Sequence, residues 1–190
     1  MRAWDAGGAP AWRIPLGGTP VTPVVFRNEV FYAGLDEPSI VAIDSSTGAV
    51  RWRVRLPAKP DSLVAADDRL YLSAADATLY SYRTSGEPGP AWKFHLVPSI
   101  GQPAVDDRQV YFALLDNTVR AFERKGGTQR WSRVLPSRPL TGPVQVGASL
   151  AIALTTGQVV VLSPMDGQIR APATPAAALP AVRLQSAAVA

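Results

Sequence analysis

Cysteine is absent from the 190-residue chain. That excludes disulfides, thiolate metal sites and a cysteine nucleophile, although it does not fix the compartment. Histidine occurs once, at His95, so no histidine pair is available as metal ligands or as an acid–base couple. No run of about 18 apolar residues exists, and so no helical membrane span is expected. Met1-Arg2-Ala3-Trp4-Asp5 opens neither an apolar signal segment nor a lipidated cysteine. The expectation is a chain that stays in the cytoplasm or whose export signal lies outside it. Charged residues are few, 18% of the total, with a net charge of +4 spread along the chain. That spread reads as solubility charge and not as a nucleic-acid footprint. There is no Gly-x-Ser-x-Gly elbow. Gly7-Gly8 and Gly17-Gly18 do not continue into Gly-Lys-Ser/Thr, so neither is a phosphate loop.

What is present is turn chemistry and periodicity. Fifteen Gly and eighteen Pro accompany 47% hydrophobic residues, as in a turn-dense all-β domain. Thr22–Leu56 shows the plan. Val24–Phe26, Val30–Ala33, Ile40–Ile43 and Val50–Leu56 are four short apolar stretches, separated by Arg27-Asn28-Glu29, Gly34–Ser39 and Asp44–Gly48. Gly and Pro mark the turns. In the last stretch Val50, Trp52, Val54 and Leu56 alternate with Arg51, Arg53 and Arg55, which is the period of a strand with one buried and one wet face. Four antiparallel strands of this size make one propeller blade.

The plan recurs. Trp12, Trp52, Trp92 and Trp131 stand 40, 40 and 39 residues apart, and Asp36, Asp76 and Asp116 keep a spacing of 40. A fixed period of this length is the mark of a repeat architecture. Residues 1–16 form half a repeat; full repeats follow at 22–56, 61–96 and 101–135. The next, 141–171, has Ala171 where the tryptophan falls due. Residues 172–190, rich in Ala and Pro, read as a disordered tail. The surplus strand Trp12–Leu16 is expected to pair beside Gln158–Ser163 and close a four-blade ring, since closure removes an exposed edge. A partial ring with blades missing upstream, or a larger ring shared by a homodimer, is preferred over that closure, since propellers of this repeat type are usually larger.

The repeat tryptophans read as core, because an indole buries a large area and needs one acceptor for its N–H. Asp36, Asp76 and Asp116 sit in the second turn of their repeats. They mark a candidate binding face, together with the Pro-containing loops Leu56–Asp61, Leu96–Gly101 and Leu135–Thr141. These loops are stiff and lose little entropy on binding. Each Asp also suits a turn that satisfies its own backbone, which is preferred over a cation-binding ring. Asp67-Asp68 and Asp106-Asp107 read the same way in the first turns. The Arg51, Arg53, Arg55 row protects an outer strand from edge pairing or meets an acidic partner. His95 shares an outward face with Lys93. No catalytic, cofactor or metal residue is assigned.

Ala42-Ile43-Asp44 followed by Gly48 and Trp52 resembles the repeat of the PQQ-like, quinoprotein-type β-propellers: Ala-x-Asp, a Gly turn, then Trp. Ala121-Phe122-Glu123 with Gly127 and Trp131 is a second copy, and Ala3, Asp5, Gly8 and Trp12 a third. Ser81-Tyr82-Arg83 keeps Gly86 and Trp92 but loses Ala and Asp. The resemblance implies that each tryptophan docks between neighbouring blades. It also implies one of two activities. Some members are quinone-dependent alcohol dehydrogenases; others bind no cofactor and act as scaffolds of the bacterial envelope, including outer-membrane protein assembly. The chain lacks the adjacent-cysteine disulfide that often lies under the quinone. The expectation is therefore a non-catalytic scaffold for another protein, periplasmic by resemblance. A relic of a dehydrogenase and a ligand-sensing domain of a larger chain are the alternatives.

Overall fold

Eighteen β-strands and no helix make up residues 1–173, the part of the chain that the computed structural model describes. Residues 174–190, most of the expected tail, lie outside the described residues. No helix among the described residues is long and apolar enough to cross a membrane.

The strands form a two-stranded sheet followed by four four-stranded antiparallel sheets. The first pairs β1 (Arg2–Trp4) with β2 (Pro10–Arg13). Blade one is β3 (Val25–Arg27), β4 (Val30–Leu35), β5 (Ser39–Asp44) and β6 (Val50–Arg55). Blade two is β7 (Pro60–Ala66), β8 (Arg69–Ala74), β9 (Thr78–Arg83) and β10 (Trp92–His95). Blade three is β11 (Ser99–Val105), β12 (Gln109–Leu114), β13 (Thr118–Glu123) and β14 (Gln129–Val134). Blade four is β15 (Val144–Val146), β16 (Ser149–Ala153), β17 (Val159–Leu162) and β18 (Ile169–Ala173). Each blade runs up and down in chain order. The first strands β3, β7, β11 and β15 lie beside one another in series, so the sheets fan out from a common edge. This is an all-β propeller fold with a two-stranded partial blade ahead of blade one.

Both faces of the middle sheets are buried, and strand alternation assigns each face a neighbour. Val30, Tyr32 and Ala42 pack with Leu70, Leu72 and Ala74 between blades one and two. Tyr71 and Trp92 pack with Val110, Phe112 and Phe122 between blades two and three. Tyr111, Ala121 and Trp131 pack with Leu150, Ile152 and Leu162 between blades three and four. On the other side of blade one, Ala33, Leu35, Val41 and Ile43 meet Trp12, Ile14 and Leu16.

Three expectations need correction. Trp12 pairs with Ala3 inside the first sheet, whereas Val159–Leu162 pairs with β16 and β18. The strand Trp12–Leu16 therefore does not close a ring beside Gln158–Ser163. The slot is taken by β18, which reaches it through a short local hairpin at a smaller loop-closure cost. Ala171 does sit at the tryptophan register, opposite Val161, but the strand continues through Pro172 and Ala173. Pro172 and Ala173 therefore belong to a strand and not to the expected tail, and proline is tolerated there because β18 is an edge strand among the described residues. Finally, two of the loops are shorter than expected: Pro60-Asp61 belong to β7, and Ser99–Gly101 to β11.

Candidate functional site

The repeat tryptophans build the junctions from which any site must hang. The indole N–H of Trp12 donates to the Ser45 carbonyl at 2.9 Å, Trp52 to Thr84 at 2.9 Å, Trp92 to Arg124 at 3.0 Å and Trp131 to Pro164 at 2.8 Å. Each acceptor lies in the third turn of the next blade. The ring lies against a glycine of that same turn: a Cβ on Gly48, Gly86, Gly127 or Gly167 would stand within 2.4 to 2.7 Å of the facing tryptophan ring. All four glycines have positive φ, where a side chain is strained in any case. The glycine and the tryptophan of the repeat are thus two halves of one inter-blade contact.

The two ends of the sheets differ. One carries the second turns and the inter-blade loops; the other carries the first and third turns. At the first end, Asp36 accepts N–H bonds from Thr19 at 2.7 Å and Glu37 at 2.8 Å. These hold its carboxyl below the usual carboxylate range. Asp76 accepts from Thr78 N at 3.1 Å and from the Tyr80 hydroxyl at 2.7 Å. Asp116 accepts from Thr118 N at 3.1 Å, the Thr118 hydroxyl at 2.5 Å and Arg120 at 3.0 Å. Burial acts to raise its carboxyl, but the hydroxyl and the guanidinium prevail and hold it low.

Spacing by forty hides a difference among these three residues. Asp36 directly follows β4, whereas Asp76 and Asp116 stand one residue further into their turns. The later turns reverse through Ala77 and Asn117 at positive φ, a conformation Pro38 cannot adopt. The three carboxylates are therefore not equivalent, and each is occupied within its own turn. No group of three His, Asp or Glu side chains able to hold a metal occurs among the described residues.

The arginine row is also divided. Arg51 is held by Asp44 at 2.6 Å, Arg53 donates to the Leu16 carbonyl, and Arg55 lies 3.6 Å from Glu37. His95 is exposed, with Nδ1 3.2 Å from the Thr78 hydroxyl.

The opposite end holds a cleft of about 960 Å³ between blades two and three. Arg124, which no sequence pattern marked, spans it. Its guanidinium donates to the Tyr71 hydroxyl at 3.2 Å, the Asp106 carbonyl at 2.9 Å, the Ala66 carbonyl at 3.1 Å and the Asp67 carboxylate at 2.6 Å. Asp67 also accepts from Arg27 of blade one at 3.0 Å. Three blades are linked through one carboxylate, whose pKa Arg124 and then Arg27 hold low. The Asp67 carboxylate thus serves the neighbouring blades and, among the described residues, accepts no bond from its own turn, contrary to the turn-satisfying role expected of it. Glu123 accepts the N–H groups of Lys125 at 3.1 Å and Gly126 at 2.5 Å. Arg69, the first residue of β8, also lines the cleft, is only 8% exposed, and has no hydrogen-bond partner at Nε or Nη1.

Comparison with known proteins gives concordant results. A sequence model described as outer membrane protein assembly factor BamB matches residues 1–93 and again 85–186. The outer membrane protein assembly factor BamB of Bordetella pertussis is 27% identical over 161 residues, covering 78% of this chain and 42% of that protein. The crystal structure of BamB from Moraxella catarrhalis superposes with a TM-score of 0.75 at 20% identity, over 87% of this chain and 56% of that one. A computationally designed protein, Ika8, superposes with a TM-score of 0.74 at 14% identity, over 90% of this chain and 54% of its own. The chain spans less than half the length of the Bordetella relative, and the structural likenesses speak for the fold alone.

Proposed function

The chain belongs to the family of the outer membrane protein assembly factor BamB, and from that premise we propose that it is a non-catalytic scaffold that holds another protein at the periplasmic side of a bacterial outer membrane. The observation that carries this reading is the family match itself, which runs in two overlapping copies over nearly the whole chain. The site chemistry supports it. The acids that the sequence offers as candidate cation ligands, Asp36, Asp76 and Asp116, each accept bonds at their own turn, and Asp67 makes an inter-blade ion pair. The second-turn end, with Asp36, Asp76 and Asp116 and the stiff proline loops, offers a broad docking face.

Site-specific photo-cross-linking in the source cells tests the proposal. Probes in the loops at Ala58, Val97 and Ser137 are expected to capture a component of outer-membrane protein assembly, and deletion of the protein is expected to lower the amount of assembled outer-membrane β-barrels. Saturable binding of pyrroloquinoline quinone with Ca²⁺, accompanied by dye-linked alcohol oxidation, would overturn it.

A homodimer sharing one ring is a second proposal. It is favoured by the exposed Val144, Val146 and Val159 on blade four and by Trp4 on the first sheet, which is 59% exposed. A solution mass of twice the chain supports it; a single-chain mass at high concentration overturns it.

A further inference from the structure

We infer that the cleft between blades two and three binds an acidic peptide segment of a partner protein, with Arg69 receiving a carboxylate. The inference deepens the scaffold reading and rests on it.

Arg69 is a cation almost wholly buried in the wall of the cleft. Arg69 Nε and Nη1 are buried and have no acceptor. A buried guanidinium in that condition costs stability, and such groups are normally paired. Its counterparts at the start of the second strand in the other blades are Val30, Gln109 and Ser149, so the repeat does not require a cation here. Arg124 beside it shows what a structural arginine in this cleft looks like, with an acceptor for each of its three nitrogens.

The acids that line the cleft are in large part committed. Asp67 serves Arg124 and Arg27, Glu123 serves two backbone N–H groups, and Asp107 lies 3.9 Å from Arg108. Lys125 and Arg130, both exposed lining residues, make no ion pair within 4.0 Å among the described residues. Asp68 also lines the cleft and makes no ion pair, so Arg69, Lys125 and Arg130 stand against Asp68 and the backbone-bound Glu123, and the balance is positive. A second unpartnered atom completes the pattern. Gln109, 9% exposed, donates Nε2 to the Pro164 carbonyl at 3.3 Å, which leaves its Oε1 without a donor.

The cleft thus offers a cation that needs an acceptor and a carbonyl oxygen that needs an N–H. A peptide carrying Asp or Glu supplies both groups, whereas a bare inorganic anion lacks the N–H. The volume falls in the range of about 300–1,000 Å³ typical of ligand sites.

Nuclear magnetic resonance of the ¹⁵N-labelled full chain tests this. The probes are an end-capped hexapeptide of alternating Glu and Gly, its Gln–Gly counterpart, and inorganic phosphate. The Glu peptide is expected to shift the Arg69 Nε–H and Gln109 side-chain signals saturably, and Arg69→Gln to weaken it about tenfold or more. No shift at millimolar peptide, an equal response to the Gln peptide, or equally tight binding of phosphate overturns the inference. Where Arg69→Gln loses the cooperative unfolding of the parent, Gln109→Leu takes its place, and unchanged peptide affinity then overturns it. Cross-links from the loops that persist in Arg69→Gln, with peptide binding gone from that variant alone, support the cleft as a separate contact. Peptide that never binds while cross-links form overturns the cleft and leaves the scaffold reading standing.

Discussion

The junction between blades two and three and the outer side of blade four are built on the same repeat positions, yet they carry different chemistry. At the junction, Tyr71 and Trp92 face blade three, lie 5.9 Å apart by ring centroid, and share the Arg124 carbonyl. On blade four the tyrosine slot is Ala151 and the tryptophan slot is Ala171. Ala151, Ala153 and Val161 there are half-buried, and Val159 is exposed. The other side of the same sheet is ordinary core, with Leu150, Ile152 and Leu162 fully buried against blade three. The aromatic pair is present where a following blade offers a glycine turn to receive it, and small residues stand where no such turn follows among the described residues. The tryptophan repeat therefore serves contact between sheets, not the stability of a sheet by itself.

Removing the indole is the strongest way to break that comparison. Trp92→Ala is expected to cost about 3–5 kcal/mol, from lost burial and an unfilled space beside Phe94 and Phe122, as read by urea unfolding. Trp4→Ala, at an exposed ring, should stay within about 0.5 kcal/mol.

Altering the receiving turn comes next. Gly127→Ala places a Cβ 2.7 Å from Trp92 at a φ of 75°, and is expected to cost about 2–4 kcal/mol through strain and overpacking together. Gly157→Ala has a similar φ of 82° with nothing within 4 Å, so it isolates the backbone cost at about 1 kcal/mol. Equal losses in the two variants would remove the tryptophan from the explanation.

Arg124→Met removes the guanidinium from the Tyr71 hydroxyl, two carbonyls and Asp67 Oδ2, and leaves Asp67 with Arg27 alone. It is expected to cost about 2–3 kcal/mol, against less than about 0.5 for Arg27→Met, whose ion pair is exposed.

The smallest effect is on pH dependence. Burial, and then the bond to Asp76, push the Tyr80 phenol up to about 12. A raised folded value means that its contribution is intact below an ordinary tyrosine value of about 10 and is lost as pH climbs towards 12. Tyr80→Phe should flatten the alkaline fall in melting temperature. The acid side has the opposite sign. Asp36, Asp67 and Asp116 are held low, so their contributions are present above about pH 4 and fade as pH drops through the folded values.

The sheets and their order were legible because apolar alternation and the tryptophan period are properties of single strands and of counting. What counting obscured was register. A spacing of forty between Asp36 and Asp76 conceals a one-residue shift, since the equivalent residues that open the second turn, Leu35 opposite Ser39 and Ala74 opposite Thr78, stand 39 apart. The cleft was not legible at all. A lone Arg69 or Arg124 next to a turn reads as solvated charge, and only the adjacent blade makes it buried. Likewise Pro172 argued against a strand, and only the edge position of β18 accommodates it.

Hydrogen exchange of the five indole N–H protons tests the inter-blade contact most directly. The expected result is slow exchange for Trp12, Trp52, Trp92 and Trp131, each bonded to the next blade, and fast exchange for Trp4. Uniform exchange across all five, or protection of Trp4 alone, would contradict the docking of these rings between sheets.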